Sequence, residues 1–87
     1  MKIIWKFALQ DIDDQTIKAP EKAQVLSVMV QQNVTCLWML VDPDLPIRMY
    51  DVRIFGTGQQ VSLPAKWVFA GSYQLYDGAF VGHVFVA

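Results

Sequence analysis

Histidine, cysteine and charged side chains are scarce in this sequence of 87 residues, and each scarcity excludes a class of site. With Cys36 as the one cysteine, no internal disulfide can form, and a lone thiol is typical of a reducing compartment. His83 is the one histidine, and these two residues fall short of the three or four ligands that zinc needs. We therefore expect no metal and no cofactor.

The chain also lacks an excess of positive charge. Charged residues make up 17% of the sequence and the formal net charge is −1. Proteins that bind nucleic acid or anionic membranes through electrostatics usually carry a basic surplus. The composition therefore makes nucleic acid an unlikely partner and predicts no binding to a membrane surface.

Long uninterrupted apolar runs are missing as well. No stretch approaches the roughly 18 uncharged apolar residues that a membrane-spanning helix requires. Lys2 and Lys6 interrupt the N-terminal segment, so it lacks the continuous apolar region of a signal peptide. We expect a cytoplasmic protein. Because no repeat or linker divides the chain, residues 1–87 are expected to form a single β domain.

Alternation of apolar and polar residues runs through most of the chain and predicts β-strands. We expect strands over residues 2–9, 15–19, 25–31, 35–41 and 47–55, with a brief further pairing at 61–63. Within 25–31 the alternation directs Leu26, Val28 and Val30 inward. Residues 35–41 are apolar on both faces, which is typical of a central strand that is covered on both sides. Gln32-Asn33 predicts a tight turn.

Asp77-Gly78 separates two long apolar runs and predicts a C-terminal hairpin, because Asp and Gly accept the positive φ angles of a type I′ turn. A turn at this place sets Leu75 opposite Phe80 and Ser72 opposite His83. Together the patterns predict an all-β fold, a single small antiparallel sandwich or a partly open barrel of about six to eight strands.

The possible catalytic and ligand motifs are incomplete. A Ser72-His83 contact is half of a nucleophile-base pair, but the orienting acid and the oxyanion donors are missing, so a structural cross-strand pair is favoured. Gly56-Thr57-Gly58 lacks the third glycine and the helix of a phosphate loop, which favours a turn or bulge. The acidic segment 11–14 lacks the glycine and glutamate of a calcium loop. We expect no enzyme activity and no catalytic residue.

The apolar and aromatic content exceeds what one narrow core can hold. The chain is 54% hydrophobic and its mean hydropathy is +0.30. Surplus apolar surface usually marks a partner interface, and interfaces favour Tyr, Phe, Trp and Met. The candidate interaction surface predicted from this surplus consists of Tyr50, Phe55, Tyr73, Tyr76, Phe80 and His83.

The order of four motifs resembles an uncharacterised family of small phage and prophage proteins. The motifs are KIIWKF at the start, CLWMLVDPD at 36–44, RIFGTG at 53–58 and GSYQLYDGAFVGHVF at 71–85, so the resemblance covers nearly the whole chain. The family pattern has a histidine after GTG, where this chain has Gln59. The resemblance implies the cytoplasm of a bacterial host cell and no particular reaction.

Two functions remain open after these steps. The first is a non-enzymatic protein-binding module, and the phage resemblance suggests an inhibitor of a host defence system that occludes a protein of host or phage origin, as anti-CRISPR proteins do. A homodimer is the other way to cover the surplus apolar surface, and the uncharged strand 79–86 could support pairing with a second copy if it, or its partner strand, lay at a sheet edge. The alternative is a β-barrel that binds a small ligand or single-stranded nucleic acid with exposed aromatic side chains.

Overall fold

Seven antiparallel strands form the protein, and the all-β prediction is confirmed by the computed structural model, which describes residues 1–87. The strands are β1 (Ile3–Ala8), β2 (Asp14–Pro20), β3 (Gln24–Gln31), β4 (Val34–Val41), β5 (Ile47–Gly56), β6 (Val68–Leu75) and β7 (Phe80–Val86). No helix is present, so none is long and apolar enough to cross a membrane.

The strands divide into two sheets that do not close into a barrel. Sheet A has the order β1-β4-β3 and sheet B has the order β2-β5-β7-β6. The central position predicted for residues 35–41 is confirmed, since β4 pairs with β1 on one side and β3 on the other. The C-terminal strand β7 is not an edge strand, because β5 and β6 flank it. Its partner β6 is the edge on that side.

Two hairpins form where the turn residues predict them. Gln32 and Asn33 both have positive φ, at 51° and 66°, and connect β3 to β4. At the second hairpin Asp77 and Gly78 have φ of 54° and 87°, but Tyr76 also turns, with φ of 55°. The connection therefore spans Tyr76 to Ala79, and the predicted register holds beyond it, with Ser72 opposite His83.

A β-bulge in β3 makes the predicted inward position of Leu26 wrong. The pairing with β4 shifts between Val25 and Ser27, so Leu26 is the extra residue and its side chain is 43% exposed. An inserted residue reverses the alternation of faces on one side of the bulge. Val25 and Val28 consequently both pack on the core, although three positions separate them.

The brief strand predicted at residues 61–63 is absent. The segment from Thr57 to Trp67 contains turns but no strand. A strand there would need an unpaired neighbour, and β5 is already paired on both sides, with β2 and β7. The segment instead connects the end of β5, beside Gly82 of β7, to the start of β6, beside Val86, so it runs from one end of sheet B to the other.

The core lies between the two sheets and draws on both. Its fully covered side chains include Leu37, Met39 and Val41 of β4, together with Val52 of β5 and Val84 of β7. The sheets approach closely at β3 and β6, where a Cβ built on Gly71 would lie 3.4 Å from the Cβ of Val28. The second face of β4, with Trp38 and Leu40, has no sheet over it, which corrects the prediction that both faces are covered.

The Tyr50 hydroxyl forms hydrogen bonds to both sides of the turn between β2 and β3. Its ring is buried, with 4% exposure, and its hydroxyl donates a 2.6 Å hydrogen bond to the carbonyl oxygen of Pro20. The same hydroxyl accepts a 3.0 Å hydrogen bond from the amide of Ala23. The Arg48 guanidinium lies 3.5 Å from the ring centroid and covers the outer side of the ring. The buried phenol thus stabilises the turn by bonding to the residues before and after it.

Tyr50→Phe is expected to lower the free energy of unfolding by about 2 kcal/mol, because it leaves a buried carbonyl and a buried amide without partners. For a chain of this length, that loss lowers Tm by roughly 8 to 16 °C. Thermal unfolding followed by circular dichroism measures it. Tyr76→Phe is the matched control, since that ring is 73% exposed. Equal melting temperatures for the Tyr50 variant and the wild type would contradict this role.

Candidate functional site

His83 lies on the outer face of sheet B between two hydroxyl groups. Its Nδ1 is 2.6 Å from Oγ of Ser72 on β6, and its Nε2 is 2.8 Å from Oγ1 of Thr57 just beyond β5. The predicted Ser72-His83 contact is therefore confirmed, and Thr57 is a third member that the sequence interpretation missed. We call these three residues the His83 cluster.

Pairing between β5 and β7 brings Thr57 to the ring. Phe55 is opposite His83 and Gly56 is opposite Gly82, so the chain leaves β5 beside the histidine. Gln59 holds the turn that follows, since its Oε1 accepts a 2.8 Å hydrogen bond from the amide of Gly56. Gln59 thus has a structural contact in this chain, and it helps to position Thr57.

Both ring nitrogens of His83 have a hydrogen-bond partner in the His83 cluster, and neither partner is a carboxylate. A neutral imidazole donates from one nitrogen and accepts at the other, so one hydroxyl accepts and the other donates. In a nucleophilic triad, one of these positions is occupied by a carboxylate that orients the ring. In this structure both hydrogen bonds of His83 go to hydroxyls. The arrangement fixes the ring and ties three chain segments together.

Aromatic rings surround the His83 cluster on the same face. Phe85 contacts Phe55 edge-on with 5.8 Å between ring centroids and contacts Phe69 with 5.3 Å between centroids. Arg53 lies next to Phe85 in the pairing, and its guanidinium is 5.5 Å from the ring of Trp67. Arg53 also pairs with Asp14 at 3.0 Å, so its charge is matched by a carboxylate.

A cleft at one end of the sandwich is lined by two aspartates and by apolar and aromatic side chains. Its cavity volume is about 230 Å³. The residues that line it, called the acidic cleft below, are Asp11, Ile12, Asp13, Ile54, Tyr73, Leu75, Tyr76 and Phe80. Gln15 shapes its rim, because its amide side chain donates to the carbonyl oxygens of Gln10 and Ile12 and accepts from the amide of Gln10.

Tyr73 forms the floor of the acidic cleft. Burial raises the pKa of its phenol above the ordinary value of 10.0, and the negative charge of Asp11 raises it further, with a smaller contribution from Asp13. The Thr35 hydroxyl lies near the phenol and opposes this rise in pKa. Oγ1 of Thr35 is buried and has no partner.

The six residues predicted as one interaction surface are found in three places. Tyr50 and Tyr73 belong to the core, at 4% and 6% exposure, which corrects their assignment to the surface. A tyrosine can be buried when its ring fills the core and its hydroxyl reaches a polar group. The other four divide into two pairs: His83 with Phe55 opposite it on the outer face of sheet B, and Tyr76 with Phe80 at the acidic cleft, whose floor Tyr73 forms.

A second apolar surface, which the sequence interpretation did not assign, covers the outside of sheet A. Ile4 is opposite Leu40 on this face, and Met29 is opposite Cys36, with Trp38 between these rows. Ile4 and Met29 are 60% and 58% exposed. We define the outer apolar face as Ile4, Leu26, Met29, Trp38 and Leu40. The signal in the sequence was the double-sided apolar pattern of residues 35–41.

Cys36 also lies on this side of sheet A, yet only 2% of it is exposed. The side chain of Lys6 reaches across the sheet to Oε1 of Gln31, at 2.9 Å, and helps to close over the thiol. No group of three or more His, Cys, Asp or Glu residues lies close enough to hold a metal ion. The outer apolar face is thus an aliphatic and aromatic surface with Lys6 at one side.

The comparisons with known proteins identify a family and no function. The family model described as Domain of unknown function (DUF7352) matches residues 1–87, and the chain belongs to this family. No curated protein and no solved structure matched the chain. The predicted membership in an uncharacterised family is therefore confirmed, whereas the phage origin stays a prediction.

Proposed function

We propose that this chain is a non-enzymatic protein-binding module whose outer apolar face docks on a protein partner. One observation carries the proposal. The strand β4 has the sequence of a strand buried on both sides, yet the second sheet covers only the side with Leu37, Met39 and Val41. An apolar surface of this kind usually marks an interface. Trp38 and Met29 are residue types enriched at interfaces.

The resemblance to phage and prophage proteins supports a bacterial host cell as the setting. In that setting the proposed role is inhibition of a host defence system, in the manner of anti-CRISPR proteins, by occluding a protein that the system needs. Occlusion requires a rigid complementary surface and no catalytic group, and a sheet face without loops supplies rigidity. The role follows from context and not from the geometry.

Met29→Glu is expected to abolish capture of the partner from bacterial lysate, because it replaces an apolar contact of a dry interface with a carboxylate that must be desolvated. Met49→Glu is the matched control. Met49 is 51% exposed, against 58% for Met29, and it lies on the outer face of sheet B. Affinity purification with mass spectrometry compares the two variants with the wild type. Equal capture by both variants would contradict docking through the outer apolar face.

A second copy of the chain is the other proposed occupant of this face. Sedimentation velocity at micromolar concentration separates the two cases. A dimer that Met29→Glu dissociates and Met49→Glu preserves would assign the face to self-association. A dimer that neither variant affects would place the contact elsewhere, and the edge strands β1 and β2 would be the next surfaces to test.

The aromatic cluster on sheet B favours a second candidate function, binding of a small ligand or of single-stranded nucleic acid. Phe69 is 54% exposed beside Phe85, and a base could stack on such a ring. Against it, Arg53 is paired with Asp14, and nucleic-acid binding depends on cations that contact phosphates. Fluorescence titration with an oligothymidylate at low salt tests this alternative, and a Phe69→Ala variant that binds as well as the wild type would exclude the stacking mode.

A further inference from the structure

We propose that the acidic cleft binds a cationic side chain, a lysine or an arginine, presented by a protein partner. The proposal rests on the protein-binding function for the source of the side chain, but the recognition itself is a property of the cleft. Its three grounds are uncompensated carboxylates, apolar walls of matching size and a mostly buried tyrosine hydroxyl at the floor.

The two carboxylates of the acidic cleft lack a cation within the chain. The single salt bridge in the structure joins Arg53 to Asp14, and it involves neither Asp11 nor Asp13. Both residues lie on the rim that the Gln15 side chain holds in place through three hydrogen bonds. Their charge is therefore presented at a defined position and has no counter-charge from the protein.

The apolar walls suit the aliphatic stem of a long cationic side chain. Leu75 and Ile54 line the interior of the cleft, and Tyr76 and Phe80 stand at its mouth with exposures of 73% and 36%. Aromatic faces attract ammonium and guanidinium groups. The volume of about 230 Å³ is below the roughly 300 Å³ at which pockets for whole small-molecule ligands begin. The volume of the cleft therefore matches a single side chain.

The hydroxyls at the floor supply the observation that is independent of the acidic residues. Tyr73 is 6% exposed and lines the cleft, and Thr35 beside it is 2% exposed with an unpartnered Oγ1. Buried hydroxyls without partners are uncommon in folded proteins, since each one costs free energy. A donor that enters the cleft can bond to the oxygen of Tyr73 at its floor. Ammonium and guanidinium groups are hydrogen-bond donors only, so either can donate to the oxygen of Tyr73.

The test uses the purified, ¹⁵N-labelled chain and three small probes: N-acetyl-lysine amide, N-acetyl-arginine amide and N-acetyl-norleucine amide. Norleucine keeps the aliphatic stem and lacks the charge. The cationic probes are expected to produce saturable amide shifts at residues 11–13 and 76–80. The neutral probe is expected to bind at least about threefold more weakly, which corresponds to the usual contribution of a partly exposed charge pair.

Asp11→Asn combined with Asp13→Asn is expected to reduce the affinity for the lysine probe by about three- to tenfold, since two such pairs are lost. Asp44→Asn, an exposed aspartate in the loop between β4 and β5, is the matched control and is expected to leave the affinity unchanged. A melting temperature within error of the wild type shows that each variant is folded. A Tyr73→Phe variant is expected to bind the lysine probe more weakly as well, because it removes the acceptor at the floor.

Three results would overturn the proposal: equal binding of the neutral probe, unchanged affinity in the Asp11 and Asp13 variant, or no saturable shift at the cleft with any probe. These results are distinguishable from failure of the proposed function, because the titration needs no partner and does not involve the outer apolar face. Loss of partner capture by Met29→Glu with normal probe binding would uphold both docking through the outer apolar face and cation binding in the acidic cleft. Normal capture by that variant with normal probe binding would contradict docking through the outer apolar face and uphold recognition of a cation by the cleft.

Discussion

Gly82→Ala is expected to lower the free energy of unfolding by about 3 kcal/mol, because a methyl group at this position would overlap the ring of Tyr73. A Cβ built on Gly82 lies 2.5 Å from Cζ and 2.6 Å from Cε1 of that ring. The ring cannot move away cheaply, since Tyr73 is buried and packs against Phe80 with 6.1 Å between the ring centroids. The expected loss lowers Tm by roughly 12 to 24 °C.

Gly56→Ala is the matched control for this prediction. Gly56 is opposite Gly82 on the neighbouring strand, and its built Cβ comes no closer than 3.5 Å to another atom, which is ordinary contact. Replacing a glycine at an unstrained position usually stabilises a protein by about 0.4 to 1 kcal/mol, through the unfolded chain. Chemical denaturation of both variants gives the comparison. A Gly82→Ala protein as stable as Gly56→Ala would show that the ring of Tyr73 is free to move.

Leu37→Ala is expected to cost about 3 kcal/mol, because it removes a fully buried side chain from the central strand of sheet A and leaves a cavity. Leu37 is 0% exposed and pairs with Phe7 of β1 and Val28 of β3. Domains of this length have total stabilities of roughly 4 to 13 kcal/mol, so the substitution removes a large fraction. Urea unfolding monitored by tryptophan fluorescence measures the loss directly.

Leu40→Ala makes the same chemical change on the opposite face of the same strand. Leu40 is half-buried and belongs to the outer apolar face, so the expected cost is about 1 kcal/mol in the monomer. Equal losses at Leu37 and Leu40 would contradict the one-sided covering of β4. A Leu40→Ala loss that grows with protein concentration would show that a second copy buries this face, because oligomers gain stability by mass action.

The candidate sites could be predicted in part. Contacts set by a short turn were predictable, whereas contacts between strands far apart in the sequence were not. Ser72 and His83 meet because a short turn sets their register, so local sequence was sufficient. Thr57 joins them only through the pairing of β5 with β7, across more than twenty intervening residues. The acidic cleft likewise needs the β1–β2 loop to lie against the β6–β7 turn. Nothing in either segment alone specifies that neighbour.

The surface residues were harder to predict than the strands. Surplus apolar content correctly pointed to exposed apolar side chains, but composition does not say which ones are exposed. Tyr50 is buried because its hydroxyl finds Pro20 and Ala23, and Tyr73 is buried because Gly82 leaves room for its ring. Both reasons are contacts between segments distant in sequence. The bulge at Leu26 is a further contact-dependent feature that shifts which side chains face outward.

Apart from 61–63, the sequence by itself determined the strand segments, the two hairpin turns and the register of β6 against β7 from Gly71 to Leu75, because period-two alternation and positive-φ residues act over a few positions. It also predicted that β4 is central, and the pairing with β1 and β3 confirms this, although a sheet covers only one of its faces. The tertiary structure alone decided the division into two sheets and the order β2-β5-β7-β6. It decided too which face of β4 the second sheet covers. These choices depend on packing between residues far apart in the chain, and such packing determines which apolar face is left for a partner.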